Sequence, residues 1–270
     1  DWSSLFKRME RRMRKRAEDG LIDPLENLWG RRVYLFSGQN DYVVTQGVME
    51  KLHAQLAEFT GPDSIRMDYE VNATHGWVVD GHTCGEGHPG SSTSHCSPCC
   101  CSPAQLLACN GVDLAGRLLG HLLGPLPSGA RPRRRLGEED FPLIRAFQER
   151  YVPMGFTLHS AGMWHTAYVY APDWCRAASC PVHVHYHGCV WGAEYTGTDL
   201  IQRLGLLELA EAYGIVVVFP QASSTVDSSG CWDWTGETGP HFDTQEGPQL
   251  ATVAAMLADL PGIIWRGGNA

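Results

Sequence analysis

Apolar positions along this chain follow two periods in turn, and the alternation sketches its elements. Leu5, Met9 and Met13 recur every four residues with basic residues between them, which predicts a helix over 3–18. Val33-Tyr34-Leu35-Phe36-Ser37 reads as a buried strand cut by Gly38. Over 45–59, Val48, Leu52, Leu56 and Phe59 share one helical face; over 65–71, Ile65, Met67, Tyr69 and Val71 alternate as in a strand. Strand, helix and strand in fewer than forty residues predict a βαβ unit of a parallel sheet. From Gly81 to about Asn110 the texture changes to Gly, Ser, Pro, His and Cys, which predicts a loop. A short helix over 112–123 and a Pro/Arg/Gly linker over 125–140 follow. Strands are expected over 166–170, 182–187 and 215–219, helices over 199–213 and 249–259, and a loop over 221–247. No internal repeat is present. The pattern is again parallel α/β, and one sheet could take strands from both halves.

Composition narrows the class. With 30 Gly and 16 Pro in 270 residues and 43% apolar content, the chain is not low-complexity. The formal charge is −9, and seven of the 21 basic residues lie between Lys7 and Arg16. Four more are Arg131, Arg133, Arg134 and Arg135, so the remaining body is acidic and offers no nucleic-acid groove. The basic run reads as a solvated helix face. No apolar run approaches the ~18 residues of a membrane span. Ten cysteines point to an oxidising, extracellular compartment, because cytosolic chains rarely carry so many. The chain opens on Asp1-Trp2-Ser3 and not on a Met-led signal, as expected of a processed protein or a fragment.

Three groups of residues could carry chemistry. Asp41 follows one strand and His75 the next, so parallel strands should bring both to one sheet edge. An acid orienting a histidine is two-thirds of a serine-hydrolase triad, in the α/β-hydrolase order; the plain alternative is a helix-capping Asp and an ordinary loop His. His183, His185 and His187 alternate along the strand expected over 182–187, and so would share a face. They read as packed strand residues, as a zinc site, or as a His187-Gly188 turn giving a backbone N–H to an oxyanion hole. Gly230-Cys231-Trp232-Asp233-Trp234 places two tryptophans in a loop, where such residues contact a ligand or anchor the loop. A serine hydrolase needs Gly-x-Ser-x-Gly at a strand-to-helix elbow, and the sequence has none. The nearest approach, Leu158-His159-Ser160-Ala161-Gly162, lacks the first glycine and precedes a strand, so Ser160 is not read as a nucleophile.

These phrases together resemble one family. Val33 to Val44, the Ala-x-His at His75, Cys109-x-x-x-Asp113-x-x-Gly116, His187-Gly188-Cys189, Phe219-Pro220-Gln221-Ala222, Gly230 to Trp234 and Gly247-Pro248-Gln249 all resemble extracellular poly(3-hydroxybutyrate) depolymerases and related esterases. The resemblance covers about residues 20–84, 109–126 and 141–260. It implies an α/β-hydrolase-like, mainly parallel sheet with helices on both faces, in a single domain over 1–270. That domain would comprise an acid/His half (1–126), a linker (127–142) and an oxyanion and Trp-loop half (143–270). It implies Asp41 as triad acid, His75 as triad base, and His187, Gly188 and Cys189 as the oxyanion loop, with Cys189 the N–H donor. Trp232 and Trp234 would line the cleft for a polyester or small ester. Cystines Cys84–Cys109, Cys175–Cys180 and Cys189–Cys231 are implied, with no cofactor, metal, nucleic acid or membrane. The acid/His half precedes the His-Gly-Cys half, as in circularly permuted members, which would put the serine upstream of Asp1 and leave this chain nearly inactive. Cys96, Cys99, Cys100 and Cys101 have no counterpart in the family pattern and read as an extra disulfide knot, a metal knuckle or mistranslated sequence. Two rival expectations are a non-catalytic ester- or glycan-binding protein on the same fold and a zinc hydrolase built on His183, His185 and His187.

Overall fold

A computed structural model describes residues 2–80, 97–98, 106–109, 111–127, 141–176 and 179–267. The chain divides into two compact units, the first ending at Pro125, where the expected linker begins.

The first unit contains helices α1 (Trp2–Glu18), α2 (Gln46–Thr60) and α3 (Leu114–Leu123). Its strands are β1 (Val33–Phe36), β2 (Ile65–Asp68), β3 (Trp77–Asp80), β4 (Ser97–Pro98) and β5 (Leu106–Cys109). β1 and β2 pair in parallel, Val33 opposite Ile65 and Phe36 opposite Asp68, with α2 as the crossover the periodicity predicts. β5 lies between β3, parallel to it, and β4, antiparallel to it. β5 corrects the loop expected over 81–110: its four apolar residues are too short a run to show a period. Val71, Ala73, Val78, Leu107, Cys109 and Leu114 form the core, with Tyr34 and Phe36 packed on it. A part-buried polar triad ties the sheet to α3. Asp68 Oδ2 accepts from Tyr34 Oη at 2.6 Å and from Arg117 Nη1 at 2.8 Å. Despite burial, these donors hold the Asp68 carboxyl below its ordinary range.

The second unit is a four-stranded mixed sheet in the order β6 (Ile144–Phe147), β7 (Thr166–Tyr170), β9 (Val216–Phe219), β8 (Val182–Val184). β6–β7 and β7–β9 are antiparallel and β8–β9 is parallel. Among the described residues, then, two of the three sheets are mixed and the β1–β2 pair is parallel. β7 and β9 are buried on both faces, which erases the alternation that marks an antiparallel strand. The strand expected over 182–187 stops at Val184, so His185 and His187 lie beyond it. The helix expected over 199–213 is two, α6 (Asp199–Arg203) and α7 (Leu206–Tyr213), broken at Gly205 with φ of 76°. Short helices α4 (Leu158–Ala161) and α5 (Ala193–Thr196) decorate the loops. α8 (Pro248–Ala258) and α9 (Leu260–Gly267) place Met256, Leu260, Ile263 and Ile264 against Ala146, Val169 and Val218 of the sheet. Among the described residues no single helix is long and apolar enough to cross a membrane.

Two disulfides close loops of different length: Cys175–Cys180, five residues apart, and Cys189–Cys231, 42 apart. Cys109 is also disulfide-bonded, whereas Cys84, Cys96, Cys99, Cys100 and Cys101 lie outside the described residues. Chain entropy assigns about 4 kcal/mol to the long loop and about 2 kcal/mol to the short one. Urea unfolding of the two double-serine variants is expected to show that ordering; an equal or inverted cost would discard the entropic account.

Candidate active site

The register of β1 and β2 continues past their ends and brings two loops together. Ser37 N–H donates to Asp68 O (3.1 Å), Gln39 N–H to Val71 O (2.9 Å) and Asn40 N–H to Ala73 O (3.0 Å). Only glycine fits at position 38, because a Cβ there would lie 2.2 Å from Ala73 O. Asn40 and Asn72 add a side-chain hydrogen bond between the same loops. Parallel strands put both loops at the carboxyl edge, where ligands bind in α/β sheets.

Asp41 and His75 meet there. His75 Nδ1 lies 2.9 Å from Asp41 Oδ2. Asp41 Oδ1 accepts the Val43 and Val44 N–H groups at 2.9 and 2.8 Å, so both carboxylate oxygens are used. Asp41 does not cap α2, whose N-cap residue is Thr45. Burial works against its charge, but the His75, Val44 and Val43 donors outweigh it and hold the carboxyl below its ordinary value. The Asp41 side chain is 10% exposed and that of His75 41%. With its Nδ1–H on a carboxylate, His75 keeps the Nε2 lone pair, the one a general base uses.

In the second unit, His187 is buried and uses both ring nitrogens. Nδ1–H donates to Gly188 O at 2.8 Å, and Nε2 accepts from Ala222 N–H at 3.0 Å. Burial lowers its basicity and keeps it neutral. Trp191 N–H returns to Gly188 O at 3.1 Å, closing a turn over Cys189 and Val190. Val190 N–H is taken by Ser229 O at 2.7 Å; the Cys189 N–H has no acceptor among the described residues. Cys189 thus presents an open N–H donor on this turn.

The three histidines do not form a ligand set. His187 is committed to Gly188 and Ala222, and the His185 ring packs tilted against Phe219, with centroids 5.6 Å apart. Burial, with the His183 and His187 rings adding to it, pushes His185 down to about 3. Among the described residues no group of three His, Cys, Asp or Glu side chains could hold a metal ion. Ser160 is accounted for structurally. Its Oγ accepts Thr157 N–H at 2.9 Å while Thr157 Oγ1 accepts Ser160 N–H, a capping box on α4.

The two tryptophans separate. Trp232 packs edge-on against Tyr186 and beside His187, with ring centroids 4.9 and 5.4 Å away. Trp234 is 73% exposed. Asp233 between them accepts N–H groups from Thr235, Gly236, Glu237 and Thr238 and so fixes the loop. Three buried glutamines escaped sequence reasoning as structural parts. Gln148 bridges Trp164 O and both backbone groups of Gln221; the Gln221 side chain accepts from Ala193 N–H; Gln249 joins Asp233 N–H to Gly162 O. Isolated polar residues have no period, so only their place in the resembling phrases marked Gln221 and Gln249.

A mixed α/β fold with an Asp–His pair at its strand ends has the form of an α/β-hydrolase. The comparisons name relatives of the chain. The chain is 32% identical over 247 residues to the poly(3-hydroxybutyrate) depolymerase of Delftia acidovorans, across 89% of the chain and 44% of that relative. It is 26% identical over 253 residues to the polyhydroxybutyrate depolymerase of Talaromyces funiculosus, across 88% of the chain and 68% of that relative. The crystal structure of PHB depolymerase from Penicillium funiculosum superposes with a TM-score of 0.68 at 25% identity, over 90% of this chain and 72% of that one. A PHB depolymerase variant complexed with an R3HB trimer gives 0.69 at 26% identity, with the same coverage. No family model matches the chain. In sequence and in structure the chain is similar to poly(3-hydroxybutyrate) depolymerases, and it spans less than half the length of the Delftia relative.

Proposed function

We propose that this chain supplies the acid–base pair and an oxyanion donor of a secreted, serine-type carboxylic ester hydrolase acting on poly(3-hydroxybutyrate)-like polyester or short-chain esters. The observation that carries the reading is the Asp41–His75 pair, whose Nδ1 contact leaves Nε2 to act as base. The relatives' names supply the ester chemistry, and the disulfides accord with secretion.

On this reading a serine hydroxyl attacks the ester carbonyl as His75 Nε2 takes its proton, and the C–O bond breaks to an acyl-enzyme as that proton passes to the leaving alcohol. Water, deprotonated by His75, then releases the acid. Asp41 fixes the imidazole tautomer and stabilises the imidazolium. The Cys189 N–H acts as an oxyanion donor, a role worth about 2.7–4 kcal/mol. The sequence contains no Gly-x-Ser-x-Gly, so the serine belongs to sequence outside these 270 residues. The acid and base then precede the oxyanion turn, as in a circularly permuted single domain. The isolated chain is expected to turn over esters barely at all.

A non-catalytic ester- or glycan-binding protein has the exposed Trp234 in its favour. Fluorophosphonate labelling of the natural full-length protein, with the adduct located by peptide mass spectrometry, separates the two. The expected adduct lies on a serine outside residues 1–270. An adduct on Ser160 would refute the assignment of the nucleophile, and folded protein that takes no label would favour the binding protein.

A further inference from the structure

Among the described residues Val190 is the one non-glycine residue with positive φ, at 58°. It is the third residue of the turn closed by Trp191 N–H on Gly188 O. A positive φ there, and none at Cys189, is the pattern of a type II turn, whose third position normally takes Gly or Asn. A β-branched side chain is a poor occupant of this region. Val190 is 48% exposed, so packing does not offset the strain. Strain kept without a packing return marks functional segments.

What holds the turn is specific. Cys189 is bonded to Cys231, with Cα atoms 4.2 Å apart, and Val190 N–H donates to Ser229 O. The opposite segment is itself anchored, since Asp227 Oδ1 accepts Ser229 N–H at 2.8 Å and Cys231 N–H at 3.3 Å. Without the disulfide, Val190 N–H to Ser229 O is the hydrogen bond left between the turn and that segment; with the Trp191–Gly188 bond that closes the turn, it opposes a left-handed strain of comparable size.

We propose that Val190 and the Cys189–Cys231 disulfide form a redox-gated clamp on the oxyanion turn. In the oxidised protein the disulfide holds Val190 left-handed and fixes the peptide that presents the Cys189 N–H. Reduction by a dithiol breaks the S–S bond, forms two protein thiols and leaves the reagent as a cyclic disulfide. Val190 then relaxes to an extended conformation and the turn opens. Cys189 is solvent-exposed, so the reagent can reach it. The gating of turnover rests on the esterase reading above; the coupling between Val190 and the disulfide does not.

The test is the equilibrium constant for reduction of Cys189–Cys231 by dithiothreitol in the full-length protein, read by differential alkylation and peptide mass spectrometry. Val190→Gly removes the strain from the oxidised form and is expected to make this disulfide about tenfold harder to reduce. Val190→Ala keeps a Cβ at positive φ and is expected to stay near the wild type. Equal constants in all three proteins, or equal shifts for Gly and Ala, overturn the clamp, because a side-chain packing role would move both alike. In the wild type, opening this disulfide is expected to lower kcat for a short aryl ester about 100-fold with KM little changed. Unchanged kcat overturns the gate. If the oxidised protein shows no ester turnover, the esterase reading fails, and the reduction constants alone decide the clamp.

Discussion

Replacing His75 with alanine in the full-length protein is expected to cut ester turnover by about 10⁶-fold, the cost of losing the base in a serine protease. The fold should survive. His75 is 41% exposed, and its one side-chain hydrogen bond is to Asp41. The Gly38–Ala73 approach and the three backbone bonds between the loops involve no part of its ring. Steady-state hydrolysis of a short-chain ester, with a thermal melt as the control for folding, checks both halves. Retained turnover in a folded variant would remove His75 from the mechanism.

Asp41→Asn is expected to cost about 10⁴-fold, for a reason written in its hydrogen bonds. Oδ1 already accepts the Val43 and Val44 N–H groups. To keep both, the asparagine oxygen must take that position, which turns its NH₂ toward His75 Nδ1. Nδ1 then becomes an acceptor, the ring proton moves to Nε2, and the base is lost while the geometry stays. The pH dependence of stability gives a second reading. The carboxyl is held below its ordinary 3.8, so its stabilising effect is complete above that value and disappears as pH falls through the lower, folded one. The stability gap between wild type and variant should therefore narrow in acid. A gap that widens there, or a variant within tenfold of wild-type turnover at neutral pH, would refute this account of Asp41.

The first unit's βαβ arrangement and its Asp41–His75 pair were legible because both rest on local rules. Periodicity located β1, α2 and β2, and parallel pairing then placed Asp41 and His75 at one edge. The Cys175–Cys180 and Cys189–Cys231 pairs came from the family resemblance, since spacing alone does not assign cystines. The strand directions in the second unit were hidden by burial on both faces of β7 and β9. β3, β5 and β6, of four residues each, were not read as strands. The alternation of His183, His185 and His187 suggested one strand, but only His183 lies in it. Val190 carries no compositional mark of a left-handed turn, so its conformation was invisible in the sequence.

The contact at Gly38 bears on how freely this sequence can change. The loops that bring acid and base together are joined mainly backbone to backbone, through the amides of Ser37, Gln39 and Asn40 and the carbonyls of Asp68, Val71 and Ala73. Main-chain bonds are indifferent to the side chains above them. Much of this edge can therefore drift under mutation while positions 38, 41 and 75 stay pinned, one by the absence of a side chain and two by its chemistry. Lineages of such a protein could remodel the surface around the pair repeatedly and still inherit the same Asp–His contact.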